Sequence, residues 1–417
     1  MQKIARLFAL GCVFLSSLSS VSCGGGGGGS TIASSSGTGS VAAASNVVPV
    51  IVDAGPSGSS VNSLFTTITL CVPGSTTQCQ TIDHIQVDTG SYGVRILASV
   101  LTLTLPTTMA SDGNSLVECT QFVDGYSWGP ISSADVEISG ETAASVPIQV
   151  IGASTFPSVP AACSGIGPAE DTVAAFGANG ILGIGVFEQD CGSGCASSSQ
   201  YGFYYSCTAT ACSGIAAPLS SQVLNPVPLF ATDNNGSIVD LPTVAASGAA
   251  SVTGSLIFGI DTQTNNVSGT ETVLNVQTGS TSSQQLPGNI TIAVNGQTLV
   301  NSFIDSGSNG IFFNDSSLTA CTDTNFSGFY CPASTQNFTA TLTGVNNAST
   351  TATFSVGNAQ TLTTNSPIFT AFPTLAGTYS TSTDSFDWGL PFYYGRRVAT
   401  AIETHTTSVG TGPYMAF

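Results

Sequence analysis

Two short segments of the 417-residue chain carry an aspartate followed at once by a hydroxyl residue, a glycine and a serine: Asp88-Thr89-Gly90-Ser91 and Asp305-Ser306-Gly307-Ser308. Such a turn can hold a carboxylate in a buried place, because glycine permits close backbone approach while hydroxyls and peptide N–H groups bond the charged form. Two of these turns brought face to face would set their carboxylates too close for both to ionise, and the pair would share one proton. One carboxylate then serves as base and the other as acid. That combination activates water for attack on an amide carbonyl with neither a metal nor a covalent intermediate.

The elements that must position these turns repeat as well. An apolar run delivers each aspartate, Ile85-Gln86-Val87 in the first copy and Phe303-Ile304 in the second. Each copy ends in a glycine element, Gly180-Ile181-Leu182-Gly183 and Phe386-Asp387-Trp388-Gly389-Leu390. The interval from aspartate to glycine is 95 residues in one (88 to 183) and 84 in the other (305 to 389). A lone Asp-Thr-Gly-Ser means little in a chain so rich in Ser, Thr and Gly, but two copies in matching order describe a diverged internal repeat. Short runs rich in Val, Ile, Thr and Phe, bounded by Gly, Ser, Asn and Pro, predict β-structure throughout. They include Ser63 to Leu70, Ala134 to Ile138, Val146 to Ile151, Ser255 to Ile260 and Thr350 to Val356. Helix is expected only around Leu97 to Leu103 and at the Asp315 to Leu318 turn. The fold class expected is all-β, with two pseudo-dyad-related lobes over 46–261 and 262–417 and a cleft between them.

Charge narrows the functions available. The chain has 23 acidic residues against 5 basic ones, a formal net charge of −18, with 7% charged and 41% hydrophobic residues. So acidic a surface repels phosphate backbones and anionic lipid, which excludes nucleic acid and membrane-surface binding by the globular part. Lys3 and Arg6 precede an apolar run, Leu7 to Leu15, that is too short to span a bilayer, and small residues follow; residues 1–22 read as a secretory signal peptide. Cys23, followed by six glycines, resembles the lipidated cysteine of a bacterial lipoprotein signal; ordinary cleavage near Ser22 is the alternative. Residues 23–45 then form a Gly/Ser-rich tether of about 25 Å r.m.s. length. The chain has 12 cysteines, and setting aside Cys12 and Cys23 leaves ten, an even number suited to disulfides in an oxidising compartment. Proximity suggests Cys71 with Cys79, Cys191 with Cys195, Cys207 with Cys212, Cys321 with Cys331, and Cys119 with Cys163. A zinc site from Cys191, Cys195, Cys207 and Cys212 is the rival arrangement.

The paired motif resembles the pepsin-like aspartic proteases, and the resemblance covers most of residues 46–417. Within that superfamily the chain is similar to an uncharacterised set of exported bacterial proteins of about this length. The resemblance implies that Asp88 and Asp305 are the catalytic pair and that Thr89 and Ser306 hold the two loops together. It further implies that Ser91 and Ser308, beside Gly90 and Gly307, bond the carboxylates. Gly254 to Asp261 and Pro391 to Ile402 are similar to the family's lobe-boundary strand and C-terminal strand region. A substrate-covering flap tyrosine of the family falls at Phe122 if Asp124-Gly125 is aligned and at Tyr126 if the aromatic itself is aligned.

Departures from the family pattern bear on activity. Arg95 stands where many members have Trp, so a positive charge facing inward would depress a carboxylate pKa. No basic prosegment lies between Cys23 and Asn46, so zymogen control of the usual kind is not expected. His84 and His405 are the only histidines and suit structural roles. The expectation is therefore an exported, lipid-anchored aspartic endopeptidase of the bacterial envelope, outer membrane or periplasm, or of the cell surface. It would act as a monomer on a peptide or protein substrate in the interlobe cleft, with no metal or cofactor, and touch the membrane only through lipid on Cys23. The alternative is an inert pepsin-like fold serving as an envelope binding module. A disulfide-rich adhesin would fit the composition but not the repeat.

Overall fold

Along Val47–Val52 the side chains of Val48, Val50 and Val52 turn inward while their neighbours are more exposed, the two-residue period of a strand with one face on a core. The computed structural model describes residues 45–279, 285–379 and 382–417. The signal segment, Cys23 and the tether as far as residue 44 lie outside the described residues. Patterns of the same kind produce an all-β, two-lobed fold.

Val47–Val52 pairs with Val252–Phe258, which continues through Gly236–Asp240, Arg397–Ala401, Tyr414–Ala416 and Val273–Asn275. Strands from both ends of the chain thus share one sheet, and this sheet joins the lobes. On the N-terminal side it runs on through Leu64–Cys71 and Cys79–Asp88. The C-terminal lobe has a second sheet, whose inner strands are Gln297–Ile304 and Phe386–Trp388.

Each aspartate sits at the end of a strand inside the same crossing of three strands. In the N-terminal lobe Cys79–Asp88 runs parallel to Gly180–Ile184, and Tyr92–Leu97 pairs antiparallel with that same strand. In the C-terminal lobe Gln297–Ile304 runs parallel to Phe386–Trp388, which pairs antiparallel with Ile311–Phe313. The glycine elements are explained by closeness at these crossings. A β-carbon at Gly183 would lie 2.6 Å from the Tyr92 nitrogen, and one at Gly389 would lie 2.1 Å from the Gly310 oxygen. Behind the second crossing, Phe313 stacks on Phe386 at 4.9 Å and Phe386 meets Trp388 at 4.5 Å.

All five expected disulfides are formed. The four cysteines of the rival zinc set are therefore sulfur-bonded to one another in pairs. Cys71 faces Cys79 directly across a hairpin, and Cys207 likewise faces Cys212. Cys119 with Cys163 is the long-range bond: it ties strand Ser115–Gln121 to helix Ala161–Ser164 across 44 residues. In the chain-entropy account it contributes about 4 kcal/mol, against about 2 to 3 for each of the short loops.

Both helix expectations fail. Beyond Leu97 the chain makes a single turn, closed by Leu101 N–H on the Leu97 carbonyl, before Pro106 and the threonines at 102 and 104 favour extended backbone. At Asp315 the carboxylate accepts the Ser317 N–H and hydroxyl, which makes a turn in place of a helix. The longest helix among the described residues is Ala359–Asn365, capped by Asn358 accepting from Thr361 N–H at 2.9 Å.

Candidate active site

Asp88 and Asp305 come together at the centre of the molecule, 2% and 1% exposed. Their surroundings match atom for atom. Asp88 Oδ1 accepts the Gly90 N–H at 2.8 Å, and its Oδ2 accepts the Ser91 hydroxyl at 2.6 Å. Asp305 Oδ1 accepts the Gly307 N–H at 2.7 Å, and its Oδ2 accepts the Ser308 hydroxyl at 2.8 Å. Each glycine lies against the other lobe's acid: a β-carbon on Gly90 would be 2.5 Å from Asp305 Cγ, and one on Gly307 would be 2.5 Å from Asp88 Cγ. Only a residue with no side chain allows the two carboxyls to approach in this way.

The second hydroxyl of each turn faces across the lobe boundary. Ser306 N–H donates to Thr89 Oγ1 at 3.0 Å, and Thr89 N–H donates to Ser306 Oγ at 3.1 Å. Ser306 Oγ donates onward to the Val87 carbonyl at 2.9 Å. These bonds lock the two loops in one relation, so the carboxyls are held and not merely adjacent. Asp305 is within hydrogen-bonding reach of Asp88, and its carboxyl is pushed well above the usual carboxylate range. Burial is the first cause, followed by the charges of Asp88 and Asp387. A carboxyl that keeps its proton beside a second carboxylate is the electrostatic condition for a shared proton.

Residues 42–417 match the model of a family described as "Protein of unknown function (DUF3443)". The chain belongs to the DUF3443 family. No curated protein matches it. Among solved structures it is similar to the crystal structure of aspartic proteinase from Irpex lacteus, with a TM-score of 0.52 and 15% identity. That similarity covers 89% of this chain and 96% of the other, and it establishes for this DUF3443 member a pepsin-like fold.

The remaining expectations fare unevenly. Phe122 and Tyr126 flank the tip of the hairpin between Ser115–Gln121 and Tyr126–Ile138, yet both side chains pack into the N-terminal lobe. Phe122, 4% exposed, sits with Phe65, Phe176 and Ile181, and Tyr126, 9% exposed, with Trp128 and the disulfide of Cys119 with Cys163. Val123, between them in the tip, packs against the C-terminal-lobe cluster around Phe312 and Phe372. Arg95 is buried as feared, but its charge goes elsewhere. Its Nη2 meets Glu118 at 2.6 Å and Asp190 at 3.0 Å, and Nε and Nη1 donate to Thr120 Oγ1 and the Tyr92 carbonyl. The carboxylates of Glu118 and Asp190 outweigh burial and keep the guanidinium charged.

Four participants escaped the sequence reading. Tyr393 places its hydroxyl 2.8 Å from Thr89 Oγ1. Gln86 donates to the Gly307 carbonyl at 2.9 Å. Asn62 donates to the carbonyls of Asn309 and Phe372 and accepts from Phe372 N–H and the Tyr394 hydroxyl, which stitches the lobes beside the second turn. Asp387, within the second glycine element, is a third buried carboxyl in the neighbourhood. A cavity of about 140 Å³ opens beside Thr89 and Gly90, lined also by Tyr92, Phe303, Tyr379 and Met415.

Proposed function

We propose that the protein is an aspartic-type endopeptidase that hydrolyses peptide bonds with water activated by Asp88 and Asp305. The observation that carries this reading is the reciprocal pair of turns, in which each acid is bonded identically and each glycine admits the opposite carboxyl. A water held between the carboxyls would give one proton to the ionised member as its oxygen attacks the substrate carbonyl carbon. The protonated member would give its proton to the carbonyl oxygen, forming a neutral diol. Return of a proton to the amide nitrogen then lets the C–N bond break, releasing a carboxylic acid and an amine. The chemistry needs no metal and no cofactor.

Five disulfides indicate an oxidising compartment. No helix among the described residues is long and apolar enough to cross a membrane. Export, with attachment to the bacterial envelope through lipid on Cys23, is part of the proposal, as is action by a monomer on a peptide in the interlobe cleft. The packing of Phe122 and Tyr126 into the N-terminal lobe favours a second reading, a binding module that holds peptides without cutting them. Incubation with a peptide library between about pH 3 and 7, with and without a statine-type transition-state inhibitor, separates the two. Cleavage blocked by the inhibitor supports the peptidase; peptide binding without cleavage or inhibitor binding supports the module.

A further inference from the structure

The C-terminal crossing buries an acid that the two-aspartate chemistry does not use. Asp387 is fully buried, and among the described residues neither of its carboxyl oxygens has a hydrogen-bond partner. Its place is fixed by the sheet: Asp387 lies opposite Phe303 on one side and Phe312 on the other, two residues before the strand position level with Asp305. Ser308 is close to it, but that hydroxyl has one proton and already donates it to Asp305 Oδ2 at 2.8 Å. An unpartnered carboxylate among aromatic rings is costly, so this group favours the neutral acid, as its raised titration indicates. Among the described residues, the titratable groups that bear on it are Asp88, Asp305 and the Tyr393 phenol, none of them a cation.

We propose that Asp387 is a positioning residue of the site, a third carboxyl that acts through Ser308 and through its own charge to keep the shared proton on Asp88 and Asp305 as pH rises. Charge on Asp88 opposes loss of the Asp387 proton, and charge on Asp88 or Asp387 opposes loss of the Asp305 proton, so a charged Asp387 resists removal of the pair's last proton. Once charged, Asp387 also competes for the Ser308 hydroxyl that stabilises ionised Asp305. Both effects hold the proton on the pair and extend its monoanionic form toward neutral pH.

The inference rests on the peptidase reading for its first test but not for its second. The first is the pH profile of peptide cleavage by wild type, Asp387→Asn and Asp387→Ile, the last placing the residue found at the matching position of the other lobe, Ile181. The alkaline limb should move to lower pH by about one unit or more in both variants. A limb that superimposes on wild type overturns the proposal. The second is the melting temperature across the same pH range, which needs no activity. A native carboxyl held above its unfolded value gives stability that is present at low pH and is lost as pH rises through the folded value. Asp387→Asn should therefore melt increasingly above wild type as pH rises, and that gain should shrink in an Asp305→Asn background. Gains that add independently at every pH overturn the coupling, whether or not wild type cleaves peptides.

Discussion

The two crossings share a backbone and differ in the charges they bury. At matching register the N-terminal crossing holds Gln86, Ile181 and Arg95, and the C-terminal crossing holds Phe303, Asp387 and Phe312. The first buries a cation and surrounds it with Glu118, Asp190, Thr120 and a backbone carbonyl. The second buries an anion-forming group that has no hydrogen-bond partner among the described residues. What is common to both lobes, namely aspartate, hydroxyl, glycine and serine in one turn geometry, builds the acid pair. What differs is where the buried charge acts: the N-terminal one is spent within its own lobe, whereas the C-terminal one bears electrostatically on Asp305.

Several substitutions would break or sharpen this contrast. Loss of the buried cation is expected to be the most damaging to the fold. Arg95→Met leaves Glu118 and Asp190 without their counter-charge, and unfolding by urea should show a loss of about 3–5 kcal/mol. Methionine at the matching position of the other lobe, Phe312→Met, leaves no charge stranded and should cost about 1.5 kcal/mol or less. Replacing a glycine at the centre tests the symmetry directly. Gly90→Ala and Gly307→Ala each push a methyl group into the opposite carboxyl, so both should reduce cleavage by more than about 100-fold, measured as kcat/KM, and to a similar degree. Unequal losses would show that one lobe yields more readily than the other. Smaller effects are expected where the loops grip each other: Thr89→Val and Ser306→Ala should each cost about 1–3 kcal/mol in denaturant unfolding. Thr89→Val should be the worse of the two, because it also strands the Tyr393 hydroxyl.

The acid pair was legible in the sequence because its requirements are local. Close approach demands glycine, bonding the carboxylate demands a hydroxyl three residues on, and both demands recur in each copy. Disulfide pairing was legible for a similar reason, since four of the five bonds close short hairpins or turns. Asn62 and Tyr393 were not, because each is a common residue type whose partners lie some 300 positions away. Arg95 stood out as one of three Lys or Arg residues after Arg6, yet its destination depended on Glu118 and Asp190, which sequence spacing does not bring together. Asp387 was in plain view inside the glycine element, but only the strand register shows that it takes the place filled by Ile181 in the other lobe. The flap expectation rested on an aromatic in a hairpin, a pattern that also suits a packed side chain, and packing is where Phe122 and Tyr126 ended.

If Asp88 and Asp305 act as one catalytic pair, conservative substitution of either aspartate should remove turnover. Asp88→Asn and Asp305→Asn keep the shape and one acceptor oxygen for the glycine N–H, with the serine hydroxyl turned to accept from the new amide, but remove one acid each, and cleavage of a peptide substrate of the wild-type protein is the quantity to measure. The expected result is a loss of about 1,000-fold or more in kcat for either variant, with melting behaviour that shows both remain folded. Turnover near the wild-type rate in either variant would show that the two aspartates do not work as a pair.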